Sequence, residues 1–412
     1  MIYPAFQGHP FASLSRGKNN ALMKTPTNLK IHRIAYQLSV LLAAGWFALP
    51  LNLDAGVESV DSRLIFLQPA GGVGQNFTKS TYDVVIADFD GDGHGDVAFP
   101  SQNVIDVYYG DGAGHFTGPS TFAAGTFPQS LAVGDFNRDG KPDLAVGVVG
   151  FMGQGVQILL NDGTGGFAAP VMATTAGSPY QIVVGDFNHD GIQDLAIADT
   201  SPDSVLVLLG DGHGGFGAPI ESPGGGDAMA TGDFNEDGIV DLAAAEYATG
   251  EVRILLGNGA GGFTVANTYS VSPSNTTNLV VADFNHDNHQ DVAVGVINNL
   301  YYVATFLGNG NGSLVAGSPV ALDDAQGIGA ADVNGDGRID LVTANYSDEA
   351  IGVANGDGRG NFARPRYYSF PYHHGHEPLP INITVGDLNG DGKPDLATAN
   401  YGTGGTIILL SK

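Results

Sequence analysis

Short apolar runs recur along most of the chain, each cut off by a cluster of Asp, Asn and Gly. Residues 84–86, 131–133 and 182–184 are apolar; an acidic stretch follows each, and then a second apolar run at 97–99, 144–146 and 195–197. A third run rich in β-formers comes next, at 104–109, 156–160, 204–209 and 252–256. Runs this short, bounded by turn formers, predict strands. Nothing in this region shows a sustained helical period of apolar residues. A Gly-rich turn ending on Phe follows the third run (110–116, 161–167, 210–216, 257–263), and each Phe is expected to start a fourth strand on a buried contact.

The acidic stretches are copies of one phrase, D-x-[DN]-x-D-[GN]-x-x-D, beginning at Asp88, Asp135, Asp186, Asp233, Asp283, Asp332 and Asp387. Successive copies are 47, 51, 47, 50, 49 and 55 residues apart. Periods of this size with four strands per unit predict propeller blades, so the expectation is an all-β, seven-bladed β-propeller of four-stranded antiparallel blades over residues 64–412. The last copy reaches only its third strand before the chain stops. Residues 64–78, which precede the first copy, are expected to supply the missing strand and close the ring, an open array being the alternative.

Seven repeated carboxylate loops also predict a chemistry. Calcium takes six to eight oxygen ligands at flexible geometry, and alternating positions of a tight acidic loop supply them. In the first copy the expected ligands are Asp88, Asp90, Asp92, the backbone carbonyl of His94, and Asp96. The later copies offer Asp135, Asn137, Asp139, Lys141 and Asp143; Asp186, Asn188, Asp190, Ile192 and Asp194; Asp233, Asn235, Asp237, Ile239 and Asp241. The last three offer Asp283, Asn285, Asp287, His289 and Asp291; Asp332, Asn334, Asp336, Arg338 and Asp340; Asp387, Asn389, Asp391, Lys393 and Asp395. The seventh position contributes its backbone carbonyl throughout. Up to seven Ca²⁺ are expected; Mg²⁺ suits the loop less well because it demands strict octahedral geometry, and zinc would want His or Cys side chains. In the fifth copy Asn288 stands where the others have Gly, and a formed but weaker site is expected there.

These loops and their period resemble the FG-GAP/VCBS repeat family, whose best-known relatives are the N-terminal propellers of integrin α subunits. The resemblance covers about residues 64–412 through all seven loops. It implies a seven-bladed propeller with calcium in the hairpin loops between the first and second strands of blades. Integrin α propellers carry such loops on only some blades, whereas every copy carries one here. The pattern is therefore closer to bacterial secreted members, and integrin ligand recognition does not transfer.

Residues 1–33 hold five basic and no acidic residues and are followed by an apolar stretch from 34 to 53. Residues 1–55 thus read as a secretory signal or, if uncleaved, a membrane anchor, with 56–63 a linker. A secreted or cell-surface location agrees with calcium sites of about 10⁻⁴–10⁻³ M dissociation constant. The chain has no cysteine, so disulfides contribute nothing and cysteine nucleophiles are excluded. From residue 56 onward there are 42 acidic and 11 basic residues. Such a surplus disfavours nucleic acid as a partner, and unneutralised loops would repel strongly.

Strand parity places the acidic loops and the Gly-rich turns on one face. The opposite face is expected to carry longer, varied connections at 147–155, 170–180, 219–229, 266–277, 316–326 and 367–381, where binding function usually sits. Tyr247, Tyr346 and Tyr401 occupy equivalent positions there and are candidates for stacking against a sugar or a protein, half-buried strand ends being the plainer reading. His373, His374, His376 and Glu377 could form a transition-metal site or be polar filler. No catalytic cofactor is implied, and no convergent acid–base or nucleophile set stands outside the repeated loops. The expectation is a binding or adhesion module for a glycan or protein; a secreted polysaccharide lyase or hydrolase and a ligand-free scaffold are the alternatives.

Overall fold

The computed structural model describes residues 82–411 apart from 151–152, 201–202, 272, 299–300, 370–377 and 403–405. The amino-terminal segment, the strand expected at 64–78 and the histidine segment at 373–377 lie outside the described residues. Every regular element among those described is a β-strand, and none of their segments is a helix long and apolar enough to cross a membrane.

The first blade is an antiparallel meander of β1 (Val85–Ala87), β2 (Asp96–Ser101), β3 (Val104–Gly110) and β4 (Phe116–Ala123). The second repeats it with β5 (Pro128–Gly134), β6 (Asp143–Gly150), β7 (Gly153–Leu159) and β8 (Val171–Thr174), the third with β9 (Pro179–Gly185), β10 (Asp194–Thr200), β11 (Asp203–Leu208) and β12 (Ile220–Pro223). Blade four runs from β13 (Ala228–Gly232) through β14 (Asp241–Glu246) and β15 (Glu251–Gly257) to β16 (Phe263–Ser270). Blade five comprises β17 (Asn275–Ala282), β18 (Asp291–Ile297), β19 (Tyr302–Gly308) and β20 (Leu314–Ala316). Blade six comprises β21 (Ala325–Ala331), β22 (Asp340–Asn345), β23 (Ala350–Ala354) and β24 (Arg366–Ser369). In blade seven, β25 (Pro378–Gly386), β26 (Asp395–Gly402) and β27 (Ile407–Leu409) form a three-stranded sheet among the described residues.

The first strands neighbour one another in chain order, and β25 neighbours β1, so the array is a closed ring. Its hydrophobic residues are divided into seven cores, one between each pair of adjacent blades. The closing core joins Val84, Val97 and Phe99 of blade one to Leu388, Ala397 and Ile408 of blade seven. Alternation on a pleated strand explains the division: one side chain set packs against the blade before, the next set against the blade after.

Two expectations are corrected. Phe116 and Phe263 do start fourth strands, but Phe167 and Phe216 form isolated bridges ahead of them. The longer connections expected on the opposite face are mostly strand. Residues 147–155 lie largely in β6 and β7, while 170–180 and 219–229 contain β8 and β12. These fourth strands are outer edges, largely exposed, so they carry the polar composition of loops while pairing as strands.

Candidate functional site

Register fixes each acidic loop in place. Ala87 pairs with Asp96, Gly134 with Asp143, Gly185 with Asp194, and so on around the ring, so the ninth loop residue is always the first residue of the second strand. All seven of these aspartates are fully buried. One carboxylate oxygen accepts the N–H that ends the third strand, as from Gly110 to Asp96 (2.8 Å) and Gly257 to Asp241 (2.8 Å). In six loops the other accepts the N–H of the second loop residue, as from Phe89 (2.7 Å) and Phe187 (2.9 Å). In those six loops the ninth-position Asp therefore fastens both the start of its loop and the end of the third strand, and keeps lone pairs for a cation. Burial pushes the carboxyls of Asp96, Asp241 and Asp291 up to about 6.

The second loop residue is an anchor. Phe89, Phe136, Phe187 and Phe284 are buried and meet Phe167, Phe216, Phe263 and Phe362 of the following blade at 5.5–5.6 Å, edge to face. The carbonyls of Phe89, Phe136, Phe187, Phe234 and Phe284 accept an N–H from the next blade's Gly-rich turn. The acidic loops and Gly-rich turns thus share one face and interlock blade to blade.

Within the loops the first Asp accepts the N–H groups of the fifth and sixth residues, as Asp135 does from Asp139 (3.0 Å) and Gly140 (2.9 Å). The chain winds around that carboxylate by taking left-handed backbone at two positions. The sixth does so in every loop, including Asn288 at φ 69°. The fourth does so as well, and Arg138, His189, Glu236 and His286 adopt φ of 59–61° there without being glycine. The second constraint was not foreseen from the sequence.

The third position separates the first loop from the rest. Asn188, Asn235 and Asn285 each donate their side-chain N–H to the fifth-position carboxylate at 2.8 Å, and Asn137 does the same at 3.2 Å. In the first loop Asp90 has no such donor to offer, and carboxylate oxygens of Asp88, Asp90 and Asp96 lie within 4.8 Å of one another. Burial raises the Asp90 carboxyl, and repulsion from Asp92 and Asp88 adds to it.

The sixth loop tests whether such a site suits a hard cation. There the Val333 N–H turns to Ala331 (3.0 Å) instead of the ninth Asp. Asp340 Oδ2 and Asn334 Oδ1 are left buried without a hydrogen-bond partner among the described residues. Burial holds the Asp340 carboxyl at about 7, although the Val333 amide stays close enough to temper the rise. Two buried oxygen acceptors that lack donors are what an oxygen-liganded cation completes.

On the other face, β14, β22 and β26 end beside Tyr247, Tyr346 and Tyr401, as the sequence placed them. Tyr247 and Tyr401 are exposed and Tyr346 half-buried. Tyr346 and Tyr401 approach closely enough to interact electrostatically. A fourth tyrosine, Tyr82, joins them: its ring lies 5.9 Å from that of Tyr401 across the closing blade boundary. Tyr82 precedes a first strand instead of ending a second one, so the equivalence that found the other three passed over it.

Among solved structures, the chain shares its fold with an Agrocybe aegerita lectin that recognises non-reducing terminal N-acetylglucosamine (18% identity, TM-score 0.53, 79% of this chain and 86% of that one). It also matches the BP39L lectin of Burkholderia pseudomallei (18%, 0.60, 81% and 96%). A third match is the periplasmic gluconolactonase PpgL of Pseudomonas aeruginosa (14%, 0.53, 80% and 85%). At these identities the likeness is one of fold, and the fold hosts both binding and catalysis. No curated protein matches the sequence. The profile of the FG-GAP-like repeat matches residues 76–146, 148–197, 186–244, 233–294 and 332–398, which takes in all seven acidic loops. With the repeated loops and the seven-bladed ring, this places the chain in the FG-GAP-like repeat family.

Proposed function

We propose that this propeller is an exported binding module, stabilised by calcium in its acidic loops, whose glycan or protein ligand sits on the opposite face. The observation that carries the reading is where aromatic side chains meet solvent. Tyr82, Phe127, Tyr180, Tyr247 and Tyr401 are exposed by 37–63%, and topology puts all of them at strand ends away from the acidic loops. Aromatic rings held at a rigid rim offer large contact area at small ordering cost. The lectin likenesses support the sugar form of the reading. The orphaned oxygens of Asp340 and Asn334 and the carboxylate cluster of the first loop support the metal. The amino-terminal basic and apolar sequence supports export.

The test is a glycan array probed with the mature protein in calcium, repeated with Tyr401→Ala and with Asp88→Ala. Binding lost in the first variant and kept in the second at saturating calcium supports the assignment of faces. Retention in Tyr401→Ala and Tyr82→Ala together with loss in loop variants that still fold would place the ligand on the acidic side instead.

A further inference from the structure

The exposed aromatics of this face divide into two groups. Tyr82, Tyr346 and Tyr401 cluster across blades one, six and seven. Tyr247 stands apart at the boundary of blades four and five, where two side-chain amides reach it. Its backbone N–H donates to Asp227 (2.7 Å), and its carbonyl accepts from the Asn275 side chain (2.6 Å). Its hydroxyl lies 3.4 Å from Asn298 Nδ2, which also donates to Asn275 Oδ1 (2.6 Å). Asn298 holds left-handed backbone at φ 80° to reach this position. An exposed ring is thus pinned at its backbone and at its hydroxyl by residues of two blades. Holding a solvent-facing side chain in one pose gains nothing for the fold's core. It lowers the ordering cost of a ligand that stacks on it.

We propose that Tyr247 is the platform of a sugar subsite, in which an uncharged pyranose lays its apolar C–H face on the ring while Asn298, Asn275 and Glu246 hydrogen-bond its hydroxyls. This rests on the reading that the face binds ligands, and it names the class for one part of it. The side chains suit hydroxyls, since amides both donate and accept and a carboxylate accepts. Charge sets the selectivity. Asp227, which accepts the Tyr247 N–H, lies with Glu246 and Asp203 closely enough for the three to act on one another electrostatically. The nearby cation, Arg253, is already engaged by Asp203 (2.6 Å) and Glu251 (2.8 Å). Uronates and other anionic sugars therefore meet a negative field with its counter-charge spent.

The experiment is calorimetric or saturation-transfer titration of the calcium-loaded protein with neutral oligosaccharides, and with uronic-acid oligomers of equal length. Neutral sugars are expected to bind and uronates not. Tyr247→Ala is expected to weaken binding at least about tenfold, with Tyr247→Phe within a few-fold of the parent and Asn298→Ala between them, all melting at the parental temperature. Preference for uronates, or equal binding by Tyr247→Ala, overturns the inference. If binding then falls in Tyr401→Ala, the face reading survives with a different subsite; if it falls in neither variant, that reading fails as well. No binding to any oligosaccharide overturns the sugar assignment outright.

Discussion

Asn382 donates its side-chain N–H to Asp83 Oδ1 at 2.8 Å across 299 residues of sequence, joining blade seven to blade one. The other Asp83 oxygen accepts the N–H of Leu131 in blade two at 2.8 Å, so one carboxylate holds three blades. Both residues stand five positions before the first Asp of their loops. Asn278 occupies the same position and reaches Asn382 at 3.3 Å from two blades away. Gly327 makes room for that contact, because a Cβ there would sit 2.6 Å from the Asn382 backbone. Asp83→Ala strands a buried N–H and an amide and is expected to lower stability by about 1–3 kcal/mol, read as a fall in the urea midpoint with the slope unchanged. Asp83→Asn keeps the shape and is expected to lose less.

Calcium is expected to raise the melting temperature, and EGTA to reverse the gain. Each site filled at ten times its dissociation constant adds about 1.4 kcal/mol. The first loop is more charge-stressed than loops two to five, because Asp90 replaces the Asn that there donates to the fifth-position carboxylate. Asp90→Asn is therefore expected to stabilise the metal-free protein and to shrink the calcium-induced shift. A melting temperature indifferent to EGTA in the parent protein would remove the basis for the metal assignment.

How much of this was legible in the sequence follows from the range of the interactions. The loops and their strands could be read because a loop's acidic pattern and the apolar runs beside it are local, and the seven copies reinforced one another. Ring closure by Asp83 and Asn382 could not be read, since nothing local marks two side chains nearly the whole domain apart as partners. The outer strands read as connections because β8 and β12 face solvent and lack an apolar stripe. Tyr82 carries no comparable signal, because it precedes a first strand while the other tyrosines stand at the ends of second strands. The left-handed fourth loop position was hidden because Arg138, His189, Glu236 and His286 show that it accepts residues that do not announce it.

Asn288 tests the cost of that backbone directly. It holds φ 69° where the other loops have Gly at the sixth position. Asn288→Gly relieves a strain of about 1 kcal/mol at most, part of it offset by the freer unfolded chain. The fifth site is expected to gain up to several-fold in affinity, measured by calcium titration of the variant against the parent. Unchanged affinity would mean that the Asn side chain is already fully at ease there.

The blade interfaces give a contrast between two phenylalanines. Phe187 is buried behind the third loop and meets Phe263 of the next blade at 5.6 Å. Phe187→Ala is expected to cost about 3–5 kcal/mol, whereas Phe127→Ala, with its side chain 63% exposed on the opposite face, is expected to change stability by less than about 0.5 kcal/mol.

In the absence of metal, pH should act through the buried aspartates. Burial raises the carboxyls of Asp83, Asp96, Asp241 and Asp291 to about 6 and that of Asp340 to about 7. In the unfolded chain they titrate near the ordinary value of about 3.9. Between those limits the folded protein holds protons that the unfolded chain has released, so folding stability falls as pH rises from about 4 to about 7. Bound calcium favours the ionised loop carboxylates and opposes that slope. Melting temperatures in EDTA are therefore expected to decline across this range, and in millimolar calcium to stay level or climb. A metal-free protein that grew more stable from pH 4 to pH 7 would show that these carboxylates are ionised at ordinary pH even inside the fold, with the backbone N–H groups at each ninth Asp outweighing burial.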